Sequence, residues 1–321
     1  MSLLRGATLA LLVFAISAAE AQKARAPYRI GVLNEAWSAN HPAVEGLKEG
    51  LRELGFVEGH NVAYEIHFTR GVPGATDAAA ADLVRDGVDL IFTSNEPATL
   101  AAKKATQRIP VVFTLVGDPV AVGAVQTLPY PGGNLTGISS RSPELTPKRL
   151  EFLKTFAPQL RRVWFVYYAG DVTDSAAYSK LLAAAPKLGV ELLARPVKDA
   201  AELTEVLKQL KEGDGVLVPA SDTLDIPAAI LEAARASKVP SVYPAAIWVG
   251  HGALVSYGPD FRAQGVQAAR LVAKILRGTR PQDLPVEGAD HINLAIDLKV
   301  ARQLGLDVPP KLLFRANLVQ R

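Results

Sequence analysis

From Tyr28 onward, short unbroken apolar runs alternate with longer stretches in which apolar residues recur every three or four positions. The runs suit strands buried on both faces, and the wider spacing suits helices with one apolar stripe. "YRIGVL" predicts a first strand. In "HPAVEGLKEGLRELG" the residues Val44, Leu47, Leu51 and Leu54 share a helical face, with Pro42 in the first turn and Gly55 as the stop. Further strands are expected at "NVAYEIHF", "VDLIFTS", "IPVVFTL", "LTGIS", "RVWFVYY", "VELLARPV", "GVLVPAS", "VPSVYP" and "GALVSYG". Helices are expected over 76–86, 97–107, 148–156, 175–188, 201–212 and 227–237. Strand and helix in alternation predict an α/β protein of doubly wound parallel sheets.

The pattern nearly repeats. "RIGVL" is followed 60 residues later by "DLIFT" and 19 later by "RIPVVF"; "RVWFV" is followed 52 later by "DGVLV" and 24 later by "KVPSVY". Two lobes of one design explain this, although generic βα rhythm produces similar spacings. Between the halves lies "PYPGGNLTGISS", residues 129–140. It has no P-loop lysine, and its glycines precede a strand instead of opening a helix, so it reads as a tight turn leading into a crossing.

Length agrees with two domains, since 321 residues is about twice a typical one. Arg5, the apolar run "GATLALLVFAIS" and the small-x-small site at Ala19–Ala21 predict a cleaved signal peptide over 1–21, hence export to the periplasm. There is no cysteine, which excludes disulfides, thiolate metal sites and a lipid-bearing cysteine. A net charge of +3 spread through mixed-sign segments makes nucleic acid a poor partner.

Several stretches in order resemble one family: "GLKEGLRELGFVEGHNVAYE", "IPVVFTLVGDPV", "PYPGGNLTGIS", "KRLEFLK", "GALVSYGPD", "ILRGTRPQDLPVE" and "INLAIDLKVARQLGLDVPPKLLFRA". They are similar to the tryptophan/tyrosine-type substrate-binding proteins of ABC transporters, which share the fold of type I periplasmic binding proteins. The resemblance implies two α/β lobes, a three-stranded hinge, a small ligand in the cleft and delivery to an ABC permease in the cytoplasmic membrane; a monomer without cofactor is expected. Aromatic amino acids are the ligands it suggests. On this chain the lobes would be 27–137 plus 259–285, and 138–258 plus 286–321. The late helix "DFRAQGVQAARLVAKILRG" would rejoin the first lobe, with Phe261, Val266, Ala269, Val272 and Leu276 near one face. Gly137, Ile138, Ser139 and Gly258 are the expected hinge residues, with flexing through Arg141.

In open parallel sheets, ligands bind beyond the carboxyl ends of the strands. The first such loop offers Asn34 and Trp37, with solvated loop and helix cap as the plain alternative. Thr93, Ser94 and Asn95 precede a proline-started helix whose N-terminus suits a ligand carboxylate or is simply capped. Thr114 and Asp118 repeat this arrangement, with Asp118 either a cap at a helix start or an ammonium partner. From the second half come Tyr168, Asp171, Ser221, Asp222, Thr223 and Tyr243. Asp222 is the preferred ammonium partner, and Tyr168 and Tyr243 are either aromatic walls or packing.

Motifs of hydrolases, zinc proteases, P-loops and dinucleotide sites are missing, and the five histidines lack metal-ligand spacing. No catalytic residue and no metal are therefore expected. Two alternatives remain: a sensory receptor feeding a membrane signalling protein, and an α/β enzyme. A DNA-binding regulator would need an N-terminal helix-turn-helix where this chain has a leader.

Overall fold

The computed structural model describes residues 26–35, 40–72, 74–221 and 223–321. The predicted leader, Trp37 and Asp222 lie outside them. The first half runs β1 (Tyr28–Asn34), α1 (Pro42–Glu53), β2 (Val62–Phe68), α2 (Ala75–Arg85), β3 (Leu90–Ser94), α3 (Glu96–Ala105), β4 (Val111–Val116) and β5 (Leu135–Ser139). The second runs α4 (Ser142–Phe156), β6 (Arg162–Tyr168), α5 (Val172–Ala184), β7 (Glu191–Val197), α6 (Ala200–Leu207), β8 (Asp214–Leu217), α7 (Ile226–Ala236), β9 (Ser241–Tyr243), α8 (Ile247–Gly250) and β10 (Val255–Pro259). Then follow α9 (Phe261–Leu276), β11 (Glu287–Gly288), β12 (Ile292–Asp297), α10 (Leu298–Gln303), α11 (Pro310–Arg315) and β13 (Leu318–Gln320).

The strands form a six-stranded sheet, β11-β5-β4-β3-β1-β2, and a seven-stranded one, β13-β12-β10-β9-β8-β6-β7. Pairing is parallel throughout except between β10 and β12. The two halves share one strand order, 2-1-3-4-5 against 7-6-8-9-10, and the repeated segments seen in the sequence are β1, β3, β4 and β6, β8, β9. Each sheet is covered on both faces, which is why its central strands are apolar without alternation.

Helix α9, although it follows the second sheet, packs on α1 against the first. Their backbones approach so closely that a Cβ on Gly46 would stand 2.0 Å from the Arg262 carbonyl, and one on Gly265 2.0 Å from that of Ala43. This late helix therefore locks the chain's return to the first lobe through backbone contact as well as its apolar stripe.

The chain passes between sheets three times: from Ser139 to Ser142, from Pro259 to Phe261, and from Gly288 to Ile292. Ser139 and Gly288 are still paired in the first sheet, so these passages begin a few residues beyond the 137/138 and 285/286 boundaries expected from sequence. Gly137 and Ile138 lie within β5, and a Cβ on Gly137 would meet the Phe113 carbonyl at 2.2 Å. Gly258 is paired with Asn293, and a Cβ there would meet the Pro244 carbonyl at 1.7 Å. These glycines serve close packing inside the sheets. The positions outside any ladder are Ser140, Arg141, Asp260 and residues 289–291, with Arg141 at φ 52°.

Two other expectations change. No helix follows β4, and Asp118 instead caps a turn by accepting from the backbone N–H groups of Val120 and Ala121. Helix α4 begins six residues before the expected start, with Pro143 in its first turn and Pro147 inside it.

Candidate functional site

In each sheet the strand order reverses direction of progress between two neighbours, β1 and β3 in the first and β6 and β8 in the second. The carboxyl ends of strands at such a switch leave a crevice that their outgoing connections cannot fill. Asn34 and Ser94 end β1 and β3, and Tyr168 ends β6. Asn34 and Ser94 are buried, at 0% and 3% exposure.

Past β3, Asn95 is the N-cap of α3, its side chain accepting from Ala98 N–H at 3.0 Å. Thr93 and Thr99 share a hydroxyl pair at 2.8 Å, and Thr114 donates to the Thr93 carbonyl. Glu96 opens α3 beside that cap. At the helix start that the sequence offered to a ligand carboxylate, the Asn95 side chain already accepts from Ala98 N–H and Glu96 places a second carboxyl group at the same end.

Past β6, Asp171 caps α5 by accepting from Asp174 N–H at 2.7 Å. The next helical turn faces the other lobe: Thr173 donates its hydroxyl hydrogen bond to Glu96 Oε2 at 3.2 Å. A Cβ on Gly117, in the first lobe, would lie 2.4 Å from Thr173 Cγ2. The two lobes are thus in contact across the cleft.

Asp174 turns inward. It is 1% exposed, and its Oδ1 accepts from Ala220 N–H at 3.0 Å, just beyond β8. Near it Arg149 of α4, also 1% exposed, donates from Nε to the Tyr257 carbonyl and from Nη1 to Thr146. Ser94 Oγ, Arg149 Nη2, Asp174 Oδ2 and Ser256 Oγ are buried without a hydrogen-bond partner among the described residues. Native proteins leave few such atoms, because water or a bound group ordinarily satisfies them.

The electrostatics follow from this crowding. Burial pushes the Glu96 carboxyl up to about 7, with Asp171 and Asp118 adding repulsion against the relief given by the Thr173 hydroxyl. Burial also raises Asp174, reinforced by Asp171 and opposed by the Ala220 and Ser221 amides and by Arg149. Burial lowers Arg149 to about 10, and Asp174 works against that.

Gln264 of α9 ties the crossings to this region. Its Oε1 accepts from Leu115 N–H at 3.2 Å and its Nε2 donates to Ser140 Oγ at 3.3 Å. Asp260 caps α9 with one oxygen and accepts from Asn293 on β12 with the other, so one side chain grips both lobes.

The structure gathers Asn34, Thr93, Ser94, Asn95, Thr114 and Asp118 at the edge of the first sheet, and Tyr168, Asp171, Ser221 and Thr223 at that of the second. Ser221 and Thr223 bond to each other at 2.8 Å. Tyr243 is a correction. It is fully buried, tilted against Trp248 at 5.4 Å and donating to the Pro227 carbonyl, so it belongs to the core and forms no wall of the cleft.

Sequence reasoning missed Glu96, Thr173, Asp174 and Arg149. Glu96 directly follows Asn95 and reads as first-turn helix chemistry; Asp174 reads the same way, three residues after its cap. Arg149, in "KRLEFLK", looks like the solvent face of an amphipathic helix.

Among the described residues no group of three or more His, Cys, Asp or Glu has metal-holding geometry, and no helix is long and apolar enough to cross a membrane.

Comparison with known proteins places this geometry. A tyrosine-binding protein of Clostridioides difficile (strain R20291) is 27% identical over 272 residues, covering 83% of this chain and 78% of that protein. The structure of an ABC domain in complex with L-Trp from Streptococcus pneumonia superposes with a TM-score of 0.82 at 25% identity, covering 92% of this chain and all of that one. The ligand-free, open structure of a substrate binding protein with adhesive properties from Clostridium difficile gives 0.71 at 27% identity, covering 91% of this chain and 99% of that one. At similar identity, the ligand complex is the better superposition. The profile of the family described as ABC transporter substrate binding protein matches residues 36–320, so this chain belongs to the ABC transporter substrate binding proteins.

Proposed function

We propose that the chain is the exported, solute-capturing component of an ABC importer: it closes its two lobes over a small organic solute in the periplasm and presents the closed form to a membrane permease. The solute is of the aromatic amino acid class. One observation carries this reading. Polar groups from the switch points of both sheets meet across the cleft at Glu96 and Thr173, while Ser94 Oγ and Asp174 Oδ2 stay buried and unsatisfied. The tyrosine-binding relative and the L-Trp complex support the ligand class.

We place the lobes at 26–139 plus 261–288, and 142–259 plus 292–321, with the connecting residues as the hinge. Contact residues on this reading are Asn34, Ser94, Glu96 and Asp118 from the first lobe and Tyr168, Asp171 and Asp174 from the second. Binding shifts an open–closed equilibrium, and the crossings absorb the rotation. The chain acts by stoichiometric binding, with no bond made or broken.

A thermal-shift screen of the purified chain over amino acids, aromatic acids, purines and sugars, followed by calorimetry on hits, tests this. A ligand at about 100 times its Kd adds about 2.7 kcal/mol of stability, a readable shift. Turnover of any hit would overturn the binding role. A hit confined to sugars or purines would overturn the ligand class and leave the receptor role standing.

A further inference from the structure

Glu96 of the first lobe reaches across to the first turn of α5 through the Thr173 hydroxyl at 3.2 Å, two residues past the Asp171 cap, so that Glu96 faces Asp171, with Asp118 beside Glu96, Asp174 beside Asp171 and Arg149 near Asp174. Asp118 and Asp171 each have oxygens engaged in capping backbone N–H groups. Glu96 is held only by the Thr173 hydroxyl among the described residues, and Asp174 keeps one oxygen buried without a partner.

Resting on the solute-receptor reading above, we propose that Glu96 of the first lobe and Asp171 of the second form an inter-lobe seat for a positively charged nitrogen, so that the ligand must carry an amine and the amine fastens the closed lobes. Two arguments support it. Like charges brought together on closure repel unless a cation or a proton stands between them, and a fixed ammonium is the more economical partner near neutral pH. The N-terminus of α3 favours an ionised Glu96, whereas burial and the facing carboxylates oppose it, so an ionised Glu96 in the closed cleft calls for a counter-cation. The arrangement reverses the polarity expected from sequence, in which the start of α3 receives the ligand's carboxylate.

The test is a calorimetric panel on the mature chain in matched pairs: L-tyrosine, tyramine and 3-(4-hydroxyphenyl)propionate; L-tryptophan, tryptamine and indole-3-propionate; with putrescine as a non-aromatic amine. The expected result is binding by amine-bearing members and at least tenfold weaker binding by the amine-free acids. Glu96→Gln should weaken amine binding tenfold or more. Asp171→Asn, which keeps an N-cap side chain while removing the charge, should do the same and guards against a folding artefact. An amine-free acid that binds within tenfold of its amine partner would overturn the seat. So would binding by no amine in the panel, or amine affinity within twofold of wild type in both variants. The receptor reading fails separately, only if a broad solute library also yields no ligand.

Discussion

Arg149 has no exposed surface to speak of, and its charge persists there because two of its nitrogens donate to Tyr257 and Thr146 while Asp174 supplies the opposing charge. Removing the guanidinium strands the Tyr257 carbonyl and the Thr146 hydroxyl in a buried site, which costs about 1–3 kcal/mol for each group left without its donor. Arg149→Met should therefore lower stability in urea by a few kcal/mol; a loss below about 1 kcal/mol would mean that these groups are hydrated and do not hold the fold. Glu96 gives a pH-dependent prediction. Its pKa in the closed form is raised to about 7 from a usual value near 4.5. Between those values the closed form retains a proton that the open or unfolded form releases, so closure of the empty cleft is least hindered below about pH 4.5, and that advantage is lost as pH rises through 7. Because Glu96 is only half-buried, the effect is on the order of 1 kcal/mol after allowance for solvent screening. An inter-lobe fluorescence pair should report a more closed empty protein at pH 5 than at pH 8, and the difference should vanish in Glu96→Gln.

The helix pair α1 and α9 shows what a pattern of apolar residues leaves unsaid. The stripe Val44, Leu47, Leu51 was legible, and so was the stripe of α9; that the two helices meet through glycines was not. Gly46 and Gly50 sit in "VEGLKEG", where a sequence reader sees weak helix formers, and only the packing shows a Cβ on Gly50 2.7 Å from that of Ala269. Gly46→Ala should cost about 2 kcal/mol or more, because the obstructing atom is a backbone carbonyl that cannot move aside. Gly133→Ala, at φ 84° with open space around it, should cost about 1 kcal/mol from backbone strain alone. Equal losses in urea unfolding would contradict the packing argument. The same limit governs the rest of the comparison. Strands "LTGIS" and "RVWFVYY" match β5 and β6 residue for residue, since contiguous apolar runs bounded by turn residues are local signals. The meeting of Glu96 with Thr173 and the inward turn of Arg149 onto Tyr257 join residues 77 and 108 positions apart, and no local pattern encodes them. Helix α4 starts six residues before the expected position, with Pro143 in the first turn, where its missing N–H costs nothing.

Across the whole molecule, the proposed capture of solute by closure requires the lobes to meet, and they touch where Gly117 faces Thr173. Gly117 has no positive φ, so a side chain there leaves its own backbone unstrained, but its Cβ would stand 2.4 Å from Thr173 Cγ2 on the opposite lobe. A substitution at this point should act as a wedge between lobes and leave each lobe's core untouched. Gly117→Val is expected to unfold in urea within about 1 kcal/mol of wild type, since the atoms its Cβ would meet belong to Thr173 and Ser142, and the lobes can relieve that clash by parting without disturbing either core. Its radius of gyration by small-angle scattering should remain at the ligand-free value when ligand is added, while the wild-type value falls. Affinity should drop at least tenfold, the consequence of making the binding-competent closed state a minor one. Thr173→Ala removes the inter-lobe hydrogen bond without adding bulk, and should reduce affinity by a smaller factor while preserving the fall in radius. If Gly117→Val still contracts on binding, closure does not pass through this contact, and the cleft must bind its ligand with the lobes in another arrangement.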